Sequence, residues 1–286
     1  MSHKNIILLF ILLNLLAIQA KAAPLNIATF NLEYYGRGGN PTGQPNDEYR
    51  NPFLSEFLSE QLKEADVIVF EEVIEVEELK KLMLPMKMTC HSYEQQAVDL
   101  HQYISLCHKD QYQFVPFQKD GNFAMYEVQS GNKNLRPGLW GILKDNNNIP
   151  LLQIVGVHLK AFEEKAAFRL QQVEALTQKL QENVVSYPTM IIGDFNVYQN
   201  EKFDFEKKFG EALNLKNISY PELYSYRTIT QAKSFDQAYL SNVLTASAHV
   251  KGPCNNENHL GTRFQNLDFY NRTISDHCPV LYQITF

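Results

Sequence analysis

Two short runs place acids where they could do chemistry: Ile191-Ile192-Gly193-Asp194-Phe195-Asn196 and Ser275-Asp276-His277-Cys278-Pro279-Val280. Each sets a carboxylate beside a second polar group at the border of an apolar, strand-like stretch. A strand border is a rigid support, so such side chains can be held in a fixed geometry. Carboxylates offer hard oxygen ligands for a divalent cation, an amide can donate to an oxyanion, and an imidazole can move a proton. Phosphate-ester hydrolysis uses all of these, because an anionic oxygen must approach an anionic centre while another oxyanion departs.

Four further strand-like runs end, or nearly end, in polar groups: Asn31, Glu72, His158 and Asp236. Polar side chains on the interior side of an apolar strand are costly unless they are paired or bind a metal. Singly each is ordinary, but gathered at one edge they would surround a cation and a phosphate. Glu71 and Glu72 are adjacent acids competing for one such role. Glu71 is expected to be solvated or to cap a helix, the usual fate of acids.

Periodicity supplies the elements that must position these groups. Strands are expected over 25–32, ending at Asn31, over 66–70 with Glu71 and Glu72 at the exit, and over 151–157 ending at His158. Further strands are expected over 189–192, 235–240 and 279–284. Helical spacing covers 52–63, with Pro52 near its start, and also 75–83 and 165–180. Between Cys90 and Leu143, strand-like pieces at 103–107, 113–117 and 139–143 alternate with Asp, Asn and Gly turns, an antiparallel pattern. Nothing repeats at a fixed period. One α/β domain with mixed sheets is expected.

Taken in order, Ala28-Thr29-Phe30-Asn31, Val69-Phe70-Glu71-Glu72-Val73, Gly156-Val157-His158-Leu159, Gly193-Asp194-Phe195-Asn196, Phe235-Asp236-Gln237 and Ser275-Asp276-His277-Cys278-Pro279-Val280 resemble the endonuclease/exonuclease/phosphatase superfamily, which includes pancreatic-type deoxyribonuclease. The Gly-Asp-Phe-Asn and Ser-Asp-His pieces are specific in combination and weak alone. The resemblance implies an α/β fold of two mixed, mainly antiparallel sheets, packed as a β-sandwich with flanking helices in four layers. It implies Asn31, Glu72 and Asp276 around a catalytic Mg²⁺, with Mn²⁺ as an alternative and Ca²⁺ as a structural ion left open.

On the facing wall Asp194 would orient or deprotonate the attacking water, and Asn196 would donate to the phosphoryl oxygen. Asp236 would fix the tautomer of His277 and favour its charged form against phosphate. His158 would serve as proton donor or phosphate ligand. Arg136, Lys160 and Tyr103 fall where the resemblance implies phosphate contacts, although a solvated surface cation is the alternative for Arg136 and Lys160. The family's acid partner for His158 is not cleanly reproduced at Asp99. Arg169 matches a pattern associated with exported bacterial members of the superfamily.

Lys4, the apolar run from Ile6 to Ile18 and Ala20-Lys21-Ala22 read as an export signal over residues 1–22, leaving a single catalytic domain over 23–286. A membrane anchor is the alternative, but the run falls short of the roughly 20 apolar residues that span a bilayer. Secretion or periplasmic export permits disulfides, and Cys90, Cys107, Cys254 and Cys278 form an even set. Proximity in sequence favours Cys90 with Cys107 and Cys254 with Cys278; buried free thiols are the alternative.

A chain of 286 residues with 44% hydrophobic content can bury a sizeable core. The net charge of -6 excludes a broadly basic nucleic-acid coat protein, while leaving room for a local basic groove. The leading expectation is an exported metal-dependent nuclease. It would be a monomer acting on DNA, with RNA as a second polymer, and without stable membrane association once the signal is removed. A secreted phosphodiesterase or phosphatase for lipids or small molecules, of the sphingomyelinase type, is the alternative. A binding protein on this scaffold would have no physical need of both acid clusters and the imidazole.

Overall fold

The computed structural model describes residues 23–36, 47–92, 102–117, 138–198, 200–219, 223–228, 230–254 and 263–286. Residues 1–22, where an export signal is expected, and Asp99 and Arg136 lie outside the described residues. The first half runs β1 (Leu25–Tyr35), α1 (Asp47–Gln61), β2 (Val67–Val73), α2 (Val76–Met83), β3 (Met88–Ser92), β4 (Tyr103–Lys109), β5 (Tyr112–Pro116) and β6 (Leu139–Asp145). The second runs β7 (Pro150–His158), α3 (Ala166–Glu182), β8 (Thr189–Asp194), α4 (Lys202–Leu213), β9 (Leu215–Asn217), β10 (Tyr226–Arg227), β11 (Ala232–Lys233), β12 (Asp236–Ser241), β13 (Thr245–Val250), α5 (Leu267–Thr273) and β14 (Val280–Thr285).

Two six-stranded sheets form, in the orders β13-β14-β1-β2-β4-β3 and β5-β6-β7-β8-β12-β9, and β10 and β11 make a small ribbon. Each large sheet has one parallel pair at its centre, β1 with β2 and β7 with β8; every other pairing in it is antiparallel. Each parallel pair is bridged by a crossover helix, α1 or α3, as parallel neighbours require. Thus a chain without a sequence repeat builds two similar half-folds.

Both faces of the central strands are covered, and the sequence alternates accordingly. On β8, Met190 and Ile192 join the core between the sheets, while Ile191 faces Val173, Leu176 and Phe209 of the helix layer. On β7, Leu152 and Ile154 point inward and Val155 and Val157 outward. Gly156 marks the close approach of the sheets: a Cβ there would stand 2.9 Å from Ile104 Cγ2 and 3.0 Å from Val69 Cγ1. On the far side, Leu54, Phe57, Leu79 and Tyr270 pack against the first sheet. Each fully buried aliphatic or aromatic side chain contributes about 1.5–3 kcal/mol.

Both favoured disulfides are present. Cys90–Cys107 joins directly opposed residues of β3 and β4, and Cys254–Cys278 ties the segment after β13 to the entry of β14. Closing loops of 17 and 24 residues of sequence separation, each stabilises the fold by roughly 3 kcal/mol on a chain-entropy account.

The helix expected from Pro52 begins five residues earlier, at Asp47, with Asp47 and Glu48 in its first turn and Pro52 inside it. Acids there complement the positive end of the helix, which offsets the backbone hydrogen bond that proline removes. The largest topological correction concerns Asp236 and Asp276-His277. Asp236 opens β12 and Asp276-His277 lie just ahead of β14, as the expected limits 235–240 and 279–284 allow, so these polar groups lead into their strands and do not end them. Because β12 and β14 run antiparallel to β8 and β1, their first residues share an edge with the last residues of the parallel pairs.

Candidate functional site

That edge gathers the polar groups of both sheets. The exits of β1, β2, β7 and β8 supply Asn31, Glu72, His158 and Asp194, and the entries of β12 and β14 supply Asp236 and Asp276-His277. Tyr103 opens β4 opposite Val73 at the same edge, where it is half-buried and packs on the core.

A backbone irregularity separates the two adjacent acids. The β1–β2 register shifts between Asn31 and Tyr35, and Glu33, Tyr34 and Glu72 have φ of 47°, 56° and 58°. Such left-handed residues cost about 1–3 kcal/mol each and cluster at functional sites. Alternation would send Glu71 and Glu72 to opposite faces of the sheet. The bulge turns Glu72 back, so that its Oε1 lies 3.3 Å from Asn31 Nδ2 and its Oε2 accepts from Tyr34 N–H at 3.2 Å and Gln102 Nε2 at 2.9 Å.

Glu71, expected in solvent or at a helix cap, is instead fully buried beneath the site. Thr29 Oγ1 donates to it at 2.7 Å. Burial, with Asp236 and Asp194 nearby, pushes its carboxyl well above the usual carboxylate range. If this edge hydrolyses phosphate esters, as the motifs lead one to expect, Glu71→Gln, which keeps the volume and the Thr29 hydrogen bond, should leave turnover within about threefold of wild type, whereas Glu72→Gln should lose about a hundredfold or more. Steady-state hydrolysis assays of the two variants compare these outcomes, and equal losses would erase the division of roles.

Asp194 lies at the junction of the sheets. Gly193 precedes it with φ 144°, and a Cβ on Gly193 would fall 2.0 Å from the Val157 carbonyl oxygen, so only glycine fits. Asp194 Oδ1 accepts the Asn196 backbone N–H at 2.8 Å, and Oδ2 accepts Asn31 Nδ2 at 3.0 Å. His158 Nε2 stands 3.4 Å from Asp194 Oδ2 and 3.6 Å from Glu72 Oε1. Among the described residues, Asp194 and Glu72 are thus acids that face His158 Nε2. Asn196, at φ 48°, donates from Nδ2 to the Leu159 carbonyl at 3.3 Å. Burial pushes the Asp194 carboxyl up to about 6; His277 pulls it down and Asp236 raises it further.

The pair His277 and Asp236 faces this from the other side. His277 Nδ1 lies 2.7 Å from Asp236 Oδ2, which orients Nε2 into the site, 3.9 Å from Asp194 Oδ2 and 4.0 Å from Asp276 Oδ1. Burial alone would discharge the imidazole, but the ion pair and hydrogen bond with Asp236, then Asp194 and Asp276, hold its pKa well above the usual histidine value. Ser275 locks the segment: its hydroxyl donates to the Asn31 carbonyl at 2.8 Å and accepts the His277 N–H at 3.0 Å.

Asp276 is the most open of these acids, with 28% of its side chain exposed. Its carboxyl is pushed up to about 8 by burial, opposed by His277 and reinforced by Glu33, Glu72 and Asp194. Given that exposure, the crowd of like charges weighs more than burial. Glu33 and Tyr226 belong to the site without having been legible in the sequence. Glu33 accepts the Asp276 N–H at 3.1 Å, and Tyr226 sits edge-on to His277 with ring centroids 5.1 Å apart. The Tyr226 phenol is pushed up to about 12 by burial and by Asp276 and Glu33. Neither Glu33 nor Tyr226 lies in a motif that the sequence singles out.

Oxygen donors from Asn31, Glu72 and Asp276 suit a hard divalent cation, which would relieve the repulsion around Asp276. Among the described residues no three His, Cys, Asp or Glu side chains are gathered tightly enough to hold a metal by themselves. Lys160 is half-exposed two residues beyond His158.

Paired six-stranded sheets with a parallel pair in each, flanked by helices and with polar strand ends on one edge, define the endonuclease/exonuclease/phosphatase fold. Among solved structures, the chain is similar to D. rerio TDP2 complexed with single-strand DNA product, at 15% identity and TM-score 0.65 over 92% of this chain and 99% of that one. It is similar to the mannosyl-6-phosphatase of Bacteroides thetaiotaomicron at 18% identity and TM-score 0.64, covering 92% and 100%. The human Nocturnin catalytic domain with bound sulfate gives 16% identity and TM-score 0.65, covering 93% and 96%. No protein-family model and no curated protein sequence matches the chain. At these identities the likeness establishes architecture and leaves the substrate to the site.

Proposed function

We propose that this chain is an exported, Mg²⁺-dependent phosphodiester hydrolase that cuts DNA at the edge shared by its two sheets. The observation that carries this reading is the contact set around Asp194, which lies within 4 Å of Asn31, His158 and His277 side-chain nitrogens drawn from β1, the end of β7 and the approach to β14. Two disulfides support export, and among the described residues no helix is long and apolar enough to cross a membrane.

A divalent cation at Asn31, Glu72 and Asp276 would neutralise phosphate oxygens and the departing oxyanion. The chain's own side chains do the rest. Asp194 orients the attacking water and takes its proton, with a carboxyl pKa raised towards neutrality and therefore suited to a general base. Asn196 donates its amide to the phosphoryl oxygen on which charge accumulates. His277, charged against Asp236, presents Nε2 to the phosphate, and His158 Nε2 gives a proton to the leaving oxygen. Tyr103, Lys160 and Arg136 would contact the flanking phosphates.

Incubating the purified protein with supercoiled plasmid, RNA, sphingomyelin and a sugar monophosphate in Mg²⁺ tests this. Plasmid cleavage that stops with excess chelator and returns with added Mg²⁺ is the expected result. Turnover of sphingomyelin or the sugar phosphate without plasmid cleavage overturns the DNA assignment. Cleavage persisting in chelator overturns the metal.

A further inference from the structure

Each crossover helix carries an arginine as its fourth residue, Arg50 on α1 and Arg169 on α3, and both are buried, at 1% and 0% exposure. Arginine is almost never fully buried unless its donors are paired. Neither guanidinium reaches the reacting edge. Both donate instead to backbone carbonyls, Arg50 to those of the last part of β1 and of Ile274 after α5, and Arg169 to those of the segment that follows β7.

Arg50 Nη2 donates to the Leu32 carbonyl at 2.8 Å and to the Ile274 carbonyl at 2.5 Å, and Nη1 donates to the Glu33 carbonyl at 3.2 Å. Asp47 supplies a carboxylate at 3.5 Å. These carbonyls lie just past Asn31 and just before Asp276. Glu33 extends the link, because its N–H donates to Asn31 Oδ1 at 2.9 Å and its carboxylate accepts the Asp276 N–H at 3.1 Å.

Arg169 Nη1 donates to the carbonyls of Lys160 at 2.7 Å and Phe162 at 2.6 Å, and Nη2 to that of Glu163 at 3.3 Å. Nε and Nη2 grip the Glu201 carboxylate at 2.8 and 2.6 Å. The loop after His158 is thereby joined to the loop after Asn196. It is held hard enough to keep Phe162 at φ 77°. Gln172, one turn further along α3, accepts the Lys160 N–H at 2.9 Å. The Leu159 N–H donates to the Asp194 carbonyl at 2.8 Å.

We propose that Arg50 and Arg169 are positioning residues with separate tasks: Arg50 sets the cation ligands Asn31 and Asp276, and Arg169 sets His158, Asp194 and Asn196 for water and phosphate. This rests on the metal-dependent hydrolase reading above. A planar fork of five donors can satisfy several fixed carbonyls at once, whereas the lysine ammonium is a compact charge on a flexible stem. Lysine in either place keeps the charge and loosens the loop.

Arg50→Lys and Arg169→Lys separate the tasks when two quantities are read on each protein: the Mg²⁺ concentration giving half of the metal-induced rise in melting temperature, and kcat at saturating Mg²⁺. Arg50→Lys is expected to raise the Mg²⁺ midpoint by about 10–100-fold, the range for groups that orient metal ligands, and to leave kcat within about threefold. Arg169→Lys is expected to leave the midpoint unchanged and lower kcat by about 10–100-fold, the cost of a misplacement near 1 Å. A purely structural role would lower the chelator-treated melting temperature of both variants and move neither quantity selectively, which overturns the proposal. If wild type shows no Mg²⁺-induced rise, the metal reading fails and the Arg50 assignment falls with it. If wild type responds and Arg50→Lys keeps its midpoint, the clamp assignment alone is overturned.

Discussion

Replacing Asp194 with alanine is expected to lower phosphodiester hydrolysis by about 10²–10⁴-fold, the range over which a positioned general base contributes. Stability should change far less than activity. Asp194 is 1% exposed and its carboxyl is raised to about 6, so burying the charged form is already unfavourable, and alanine removes that cost. Against this, the Asn196 N–H and Asn31 Nδ2 lose their acceptor, about 1–3 kcal/mol for a buried donor left unsatisfied. Asp194→Asn keeps an oxygen for the Asn196 N–H and cannot take a proton. It should therefore retain the wild-type melting temperature more closely than alanine does and remain as inactive. Turnover on plasmid and thermal melts of both variants check this. Near-wild-type turnover in either removes Asp194 from the chemistry.

The central strands and their chemistry were legible in the sequence because two signals coincide there. Met190, Ile191 and Ile192 are apolar on both faces, which marks a strand covered on both sides, and Gly193-Asp194 breaks the run abruptly. The cysteine pairing was legible for a local reason: β3 and β4, and the approach to β14, bring near neighbours in the chain together.

Three kinds of information were not legible. That the starts of β12 and β14 meet the ends of β8 and β1's neighbours at one edge depends on antiparallel pairing with distant partners, β8 and β1. The resemblance alone picks Glu72 over Glu71; the bulge shared by β1, β2 and β4, which sets the two side chains apart, is a backbone event without a residue signature. Nothing in the sequence marks Arg50 or Arg169 as buried, since arginine is usually exposed, and only the segments folded over them reveal a buried fork. Short elements such as α5, capped by the Asn266 side chain accepting the Phe269 N–H at 3.0 Å, owe their existence to tertiary packing more than to propensity.

His277 and Asp236 are expected to behave as one unit, and a double-mutant cycle reads this directly. His277→Ala removes the charged group facing the phosphate and should lower kcat by about 10²–10³-fold, as loss of a single preorganised donor does. It also strands Asp236, which is fully buried, without the imidazole 2.7 Å away. Breaking a buried ion pair from one side destabilises by about 3–5 kcal/mol. Asp236→Asn retains an acceptor for Nδ1–H and loses the charge that holds His277 protonated, so its kcat should fall by a smaller factor. Because Asp236 touches the reaction through His277, adding Asp236→Asn to His277→Ala should cost almost no further activity. The same second substitution should recover part of the lost melting temperature, since it neutralises the stranded carboxylate. Activity and stability therefore move in different ways along one edge of the cycle. Were the Asp236→Asn loss as large without His277 as with it, Asp236 would act on substrate by itself and the paired mechanism would be wrong.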